Sequence, residues 1–233
     1  MIYVKGNESM KSLSLVERPT GVDLARNSIR TAILRGEFGS SGKLTLTDIA
    51  QHLGTSVTPI REALRDLAAE GLVDIDPHKG ARVHDPSATE LRETYALRLI
   101  LETKAMSEAA LLPPPVRIAA CDRANLLADQ METEPDVPVW AELNRAFHAE
   151  IAFILKSEWP RLYGLIETLR NFSLLPVTSA LNREATLMRH ADREHRELIE
   201  AIRRGDSAEA GSITKKHLQR TRQVLLQEAA EAE

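Results

Sequence analysis

The stretch TSVTPIREALRDLAAEGLVDIDPHKGARV, Thr55–Val83, decides how this chain is read. In its first half Ile60, Ala63, Leu64, Leu67 and Ala68 recur at helical spacing, which gathers them on one inward side. Arg61 and Arg65, four residues apart, stand together on another side of the same helix. Thr58 and Pro59 read as a cap and a first-turn proline, because proline lacks the N–H that a helix start leaves unpaired anyway. Beyond Gly71 the period changes to two. LVDID and ARVHD alternate, and PHKG between them is turn chemistry.

Working outward toward the N-terminus, TDIAQHLG makes a short helix with Ile49, Ala50 and Leu53 inward and Gly54 as its stop. DLARNSIRTAILRGEF makes a longer one, with Asp23 as cap and Leu24, Ile29, Ile33 and Leu34 on one broad stripe, ending near Gly36. Three helices and a hairpin wing are the winged helix-turn-helix plan, expected over residues 19–84, with residues 1–18 as a loose tail.

That plan suits DNA. A helix enters the major groove with its N-terminal residues at the base edges, where arginine offers two parallel donors to guanine O6 and N7. Arg61 is placed to read a base and Arg65 to hold a phosphate. Ser56 and Thr58, at the positive end of the helix dipole, suit phosphate contacts; Lys79 and Gly80 at the wing tip suit a neighbouring groove. Periodicity alone leaves a second reading open. With Glu62 and Asp66 beside them, the two arginines equally suit a solvated face with weak ion pairs.

The segments LARNSIRTAILRGEF, LTDIAQHLGTSVTPIREALRDLAAEGLV and KGARV resemble the DNA-binding domain of the GntR family of bacterial transcription regulators. The resemblance spans about 60 residues and implies a sequence-specific regulator that binds double-stranded operator DNA. Two positions depart from the family pattern. Val57 stands where arginine is usual, and Thr47 where a charged residue is often found, so base reading is expected to lean more heavily on Arg61.

The remainder, from about residue 90 to 233 after a linker at residues 85–89, reads as six or seven helices separated by prolines and by Gly205-Asp206. The expected fold is therefore mainly α: a winged helix-turn-helix followed by an all-α bundle. Within the bundle Asn144 and His148 are four apart and share a helix face. His195 lies ten residues before Gly205 and His217 eleven after Asp206, so antiparallel final helices bring the two to one level. Three imidazoles and an amide oxygen make a divalent-metal site of the zinc or nickel kind. Spacing alone favours ordinary hydrogen-bonded core or surface histidines over a metal site.

LNRAFHAEI, EHRELIEAIRRGD and KKHL resemble the helical effector domain of the FadR-type branch of that family. The resemblance implies metal ligands at Asn144, His148, His195 and His217 and repression relieved by an effector; the need of a small reader for enough DNA contacts implies a homodimer, and the charge left at the metal implies a small carboxylate effector. Asparagine replaces the usual aspartate, so a bound cation is less neutralised and an anionic guest is favoured. Arg98 resembles an arginine recurrent on the domain's first helix and is a candidate partner for the effector's carboxylate; a contact with Glu102, four residues on, is the alternative. His190 falls outside the pattern and reads as surface.

Composition bounds the function. A formal charge of −4 excludes a chain coated in basic residues; residues 1–85 balance 11 Lys/Arg against 11 Asp/Glu, so any DNA grip is local. Cys121 is the single cysteine, which excludes an internal disulfide and fits a reducing cytoplasm. No segment approaches the roughly 20 apolar residues of a bilayer span, and no secretory leader is visible. There is no His-Glu-x-x-His, no Gly-rich phosphate loop and no nucleophile elbow, so neither an enzyme nor a stand-alone acid-binding module is the expected reading.

Overall fold

The computed structural model describes residues 19–38, 42–76, 78–184 and 186–232; the tail expected at residues 1–18 lies outside them. The chain begins with α1, Gly21–Leu34, then β1, Lys43–Leu44, α2, Leu46–His52, α3, Val57–Ala69, and the hairpin strands β2, Val73–Asp76, and β3, Gly80–Val83. The strands form an antiparallel sheet in the order β1-β3-β2, with Leu44 opposite Ala81 and Ile75 opposite Ala81 on its other side. The wing therefore has a third strand that the expected hairpin lacked. Two residues carry too little periodicity to announce a strand.

The helix starts correct two expectations. Thr20, not Asp23, caps α1; Asp23 is the third helical residue and returns its carboxylate to the Thr20 N–H in a reciprocal capping box. Ser56, not Thr58, is the cap residue of α3. Pro59 then falls third in the helix, still among the positions whose N–H has no intrahelical acceptor, so the proline costs nothing there. Ile29, Ile33, Leu34, Ile49, Ile60, Leu64 and Leu67 form the core of this domain, whereas Leu24 points to solvent.

The bundle has seven helices among the described residues: α4, Ala88–Leu111; α5, Pro114–Thr133; α6, Val137–Phe153; α7, Pro160–Phe172; α8, Leu174–Arg183; α9, Thr186–Arg204; and α10, Ser207–Ala232. α4 begins at Ala88, behind a Ser87–Glu90 capping box, so only residues 84–87 separate it from the wing. Pro176 does not end a helix but sits in the first turn of α8, which sequence reading had not separated from its neighbours. α4 and α10 approach closely because Gly211 has no side chain: a Cβ there would meet Ser107 Oγ at 2.5 Å. The Ser107 hydroxyl donates to the Ser207 carbonyl across the same contact, at 3.0 Å.

The two domains share a packed junction. Ala141 of α6 and Leu174 of α8 belong to the same buried cluster as the core of α1 to α3. Gly71, at φ +78° just past the end of α3, receives the Phe172 ring so closely that a Cβ would lie 2.5 Å from it. His84 meets the edge of that ring at 5.9 Å between centroids and pairs through Nδ1 with Asp74 at 2.9 Å.

Candidate functional site

Two sites follow from this scaffold. On the winged-helix domain, α3 presents Arg61 and Arg65 outward while its apolar residues lie inside. Arg65 has only a 4.0 Å contact with Glu62, and both side chains are more than half exposed, so the guanidinium is available. Ser56 and Thr58 are exposed at the start of α3, where the Ser56 side chain makes no capping bond. At the wing, Asp76 Oδ1 accepts from the N–H groups of His78 and Lys79 at 2.7 and 3.0 Å, which shapes the turn and exposes Lys79 and Gly80. Sequence reading missed Lys43 and Arg82. They are cross-strand partners, both exposed, and line one shallow groove with Lys79. Their signal was hidden because β1 is recognisable only by its pairing.

The second site lies inside the bundle. His148 on α6, His195 on α9 and His217 on α10 offer ligand atoms that all lie within 4.8 Å of one another. Their ring centroids form a near-equilateral triangle of 4.9, 5.5 and 5.2 Å. His148 Nε2 and His195 Nε2 face each other at 3.2 Å. Two nitrogens about 2.1 Å from one ion, at an angle between square and tetrahedral, stand roughly 3.0 to 3.4 Å apart, so the spacing fits a shared cation. The Asn144 Oδ1 atom is buried without a hydrogen-bond partner, as is His195 Nδ1. An acceptor left unpaired in the wall beside three imidazoles fits the same guest. Burial and the neighbouring rings hold the His148 pKa well below its ordinary value; burial and His217 do the same for His195. Both rings are therefore neutral at pH 7, the state a ligand requires.

Around this triad stand charged residues that sequence reading did not single out. Glu194 Oε2 takes His217 Nδ1 at 2.8 Å, leaving Nε2 as that ring's free nitrogen, and its other oxygen is closely paired with Arg220. Arg170 donates to Glu102 through Nε and Nη2 at 2.9 and 2.8 Å, and to the His148 carbonyl at 2.8 Å. Glu102 is 1% exposed. Burial would raise its pKa, but Arg170 and Arg98 hold it down to about 2. The alternative weighed for Arg98 is thus present: its Nε donates to Glu102 Oε1 at 2.6 Å. Arg98 nevertheless lines a cavity inside the bundle, with Arg145, Arg170, Arg220, Asn144, His148 and His217.

That cavity measures about 80 Å³, several times the roughly 10 to 15 Å³ that holds one water. A void of about 10 Å³ lies behind it, bounded by all three histidines, Glu194 and Glu102. His190, expected on the surface, is exposed and also borders the larger cavity. One wall reaches the other domain. Arg145 Nε donates to Glu142 Oε2 at 2.8 Å; Glu142 Oε1 lies 3.7 Å from Arg30 Nε on α1; and Arg30 is closely paired with Glu70, the last residue of the α3 turn. The facing Arg30 Nε and Glu142 Oε1 atoms are buried and neither has a hydrogen bond.

A winged helix-turn-helix joined to a helical domain with an internal cavity is the architecture of a DNA-binding transcription regulator, and similarity to known proteins assigns the chain to that class. The chain belongs to the gntR family of bacterial regulatory proteins: that family's profile matches residues 23–83, and the FCD domain profile matches residues 93–220. The transcriptional repressor GlaR of Escherichia coli is 26% identical over 208 residues, covering 82% of this chain and 89% of that one. An Agrobacterium vitis helix-turn-helix regulator from the TAR-I ttuE-ttuC' intergenic region is 33% identical over 133 residues, 54% of this chain and 76% of that one. The solved structure of E. coli McbR/YncC shares the fold with a TM-score of 0.70, at 22% identity, covering 90% of this chain and 98% of that one. No described helix is long and apolar enough to cross a membrane.

Proposed function

We propose that this regulator is a repressor whose grip on its operator is controlled by a small carboxylate bound beside a divalent metal, zinc or nickel, in the helical domain. The observation that carries the reading is the convergence of His148, His195 and His217 at the back of an arginine-lined cavity. Asn144 completes the ligand set through its orphaned oxygen. A divalent ion there supplies a positive charge able to take a carboxylate oxygen. This chain's own residues do the rest: Glu194 orients His217, while Arg98, Arg145 and Arg220 supply positive charge for the anion.

Occupancy is coupled to DNA through the junction. An anion that recruits Arg145 loosens its hold on Glu142, which is then free to close on Arg30 and so shift α1 against the end of α3. Coupling of this kind requires that the two arrangements differ in affinity for the guest. At the DNA, Arg61 reads a base, Arg65, Ser56 and Thr58 hold phosphates, and Lys79 and Gly80 of the wing enter the neighbouring groove. The chain acts as a homodimer on two half-sites, since one small reader makes too few contacts alone. Leu97 and Ile100, exposed apolar residues three apart on α4, are candidates for the contact with the second copy. The name of GlaR supports the repressor sign.

The test is elemental analysis of the purified protein, with a gel shift on operator DNA selected from a random pool, with and without chelator and small acids. About one metal per chain, and DNA release by an acid only when metal is present, is the expected result. Absence of metal after purification in zinc-supplemented medium, with acid-insensitive DNA binding, sinks the reading.

A further inference from the structure

The cavity beside the three histidines is asymmetric along its length. At one end it is lined by Arg98, Arg170, Asn144, His148 and His217. On α10 the lining then passes from His217 and Arg220 to Val224 and Leu225; on α9 it passes from Glu194 back to Leu187. Val224 is seven residues beyond His217, and Leu187 eight before His195, on helices that bring the two histidines to one level. At 1.5 Å per residue the aliphatic end lies roughly 10 to 12 Å from the imidazoles. α8 completes it with Val177, Ala180 and Leu181.

Resting on the carboxylate reading above, we infer that the effector is an amphiphilic monocarboxylate: an anionic head at the histidines and arginines, and an unbranched or ring hydrocarbon tail against Val177, Leu181, Leu187, Val224 and Leu225. His190 on α9 and Arg220 and Thr221 on α10 also line the cavity, three or four residues from this wall, but the five themselves offer no partner to a hydroxyl or a second carboxylate, whose unpartnered burial is costly. A hydrocarbon gains from the same wall by leaving water. The head end holds one further donor. The Tyr95 hydroxyl is buried without a hydrogen-bond partner, and the Arg98 guanidinium carbon lies 4.8 Å from its ring centroid. Tyr95 lines the same cavity as Arg98 and Arg170.

The experiment is isothermal titration of the zinc-loaded, full-length protein with acetate, butanoate, hexanoate and octanoate, against succinate, gluconate and 1-octanol. Affinity is expected to rise by roughly threefold to fourfold per added methylene until the cavity is full, with 1-octanol and gluconate at least tenfold weaker than octanoate. V224F, which enlarges a half-buried side chain in the aliphatic wall, is expected to end the gain at a shorter chain than in the wild type. Affinity independent of chain length, or succinate or gluconate binding more tightly than hexanoate, overturns the inference and leaves the metal-carboxylate reading intact. If no acid of any length binds protein that does hold zinc, both fall together.

Discussion

At the scale of single residues, the sharpest charge arrangement is Glu102 between Arg98 and Arg170. Two guanidiniums compensate one nearly inaccessible carboxylate, so removing its charge leaves two buried cations facing each other. E102Q is expected to cost about 3 to 5 kcal/mol at neutral pH by chemical denaturation. The pH dependence has a definite sign. The folded-state pKa of Glu102 is depressed to about 2 from an ordinary 4.5, so its stabilisation is complete above about 4.5 and lost as pH falls toward 2. The gap between wild type and E102Q should narrow across that window, and a gap constant from pH 7 to pH 3 would refute the pairing. At the DNA side, R61A is expected to weaken operator binding by about 1 to 3 kcal/mol in a gel shift at fixed salt. An unchanged affinity removes Arg61 from base reading. H195A combined with H217A should abolish metal content; an unaltered metal-to-protein ratio excludes both as ligands.

At the scale of elements, α4 and α10 meet through small residues, and the contact tolerates no added volume. G211V is expected to destabilise the bundle by roughly 1 to 3 kcal/mol, because the new side chain drives against Ser107 and Thr103. Thermal unfolding measures it, and a melting temperature equal to the wild type's contradicts the close approach. Which elements exist was largely legible in the sequence. α3 announced itself by the period of Ile60, Ala63, Leu64 and Leu67, and the wing by alternation around a turn. β1 and α8 were not legible. The first is two residues long and is a strand only because β3 lies beside it; the second begins one residue after α7, so no glycine or proline break separates their patterns.

Across the whole molecule, the proposed coupling between the two domains runs through their packed junction. Gly71 is the cheapest place to break it, because a methyl group there collides with the Phe172 ring and sits in a backbone conformation that favours glycine. G71A should leave the helical domain's metal content unchanged while reducing the ratio of operator affinities without and with effector toward one. E142Q should reduce the same ratio through the Arg145–Arg30 route while leaving the fold intact. Retention of the full ratio in both variants would rule this junction out as the coupling path.

Local sequence pattern was enough for the order of elements: a helix-turn-helix with its wing, a helical bundle, and His195 and His217 on helices that a short turn at Gly205-Asp206 folds back together, whereas His148 on α6 reaches them only by packing. These follow from side-chain periodicity, caps and turns, which act over a few residues. The tertiary structure alone decided that Glu102 meets Arg170 across 68 positions, that Glu194 turns His217, and that Arg145 and Glu142 stand between a cavity and Arg30. Such partners are selected by packing between distant segments, where burial makes an unpaired charge expensive and a matched one specific, and no local pattern encodes that choice.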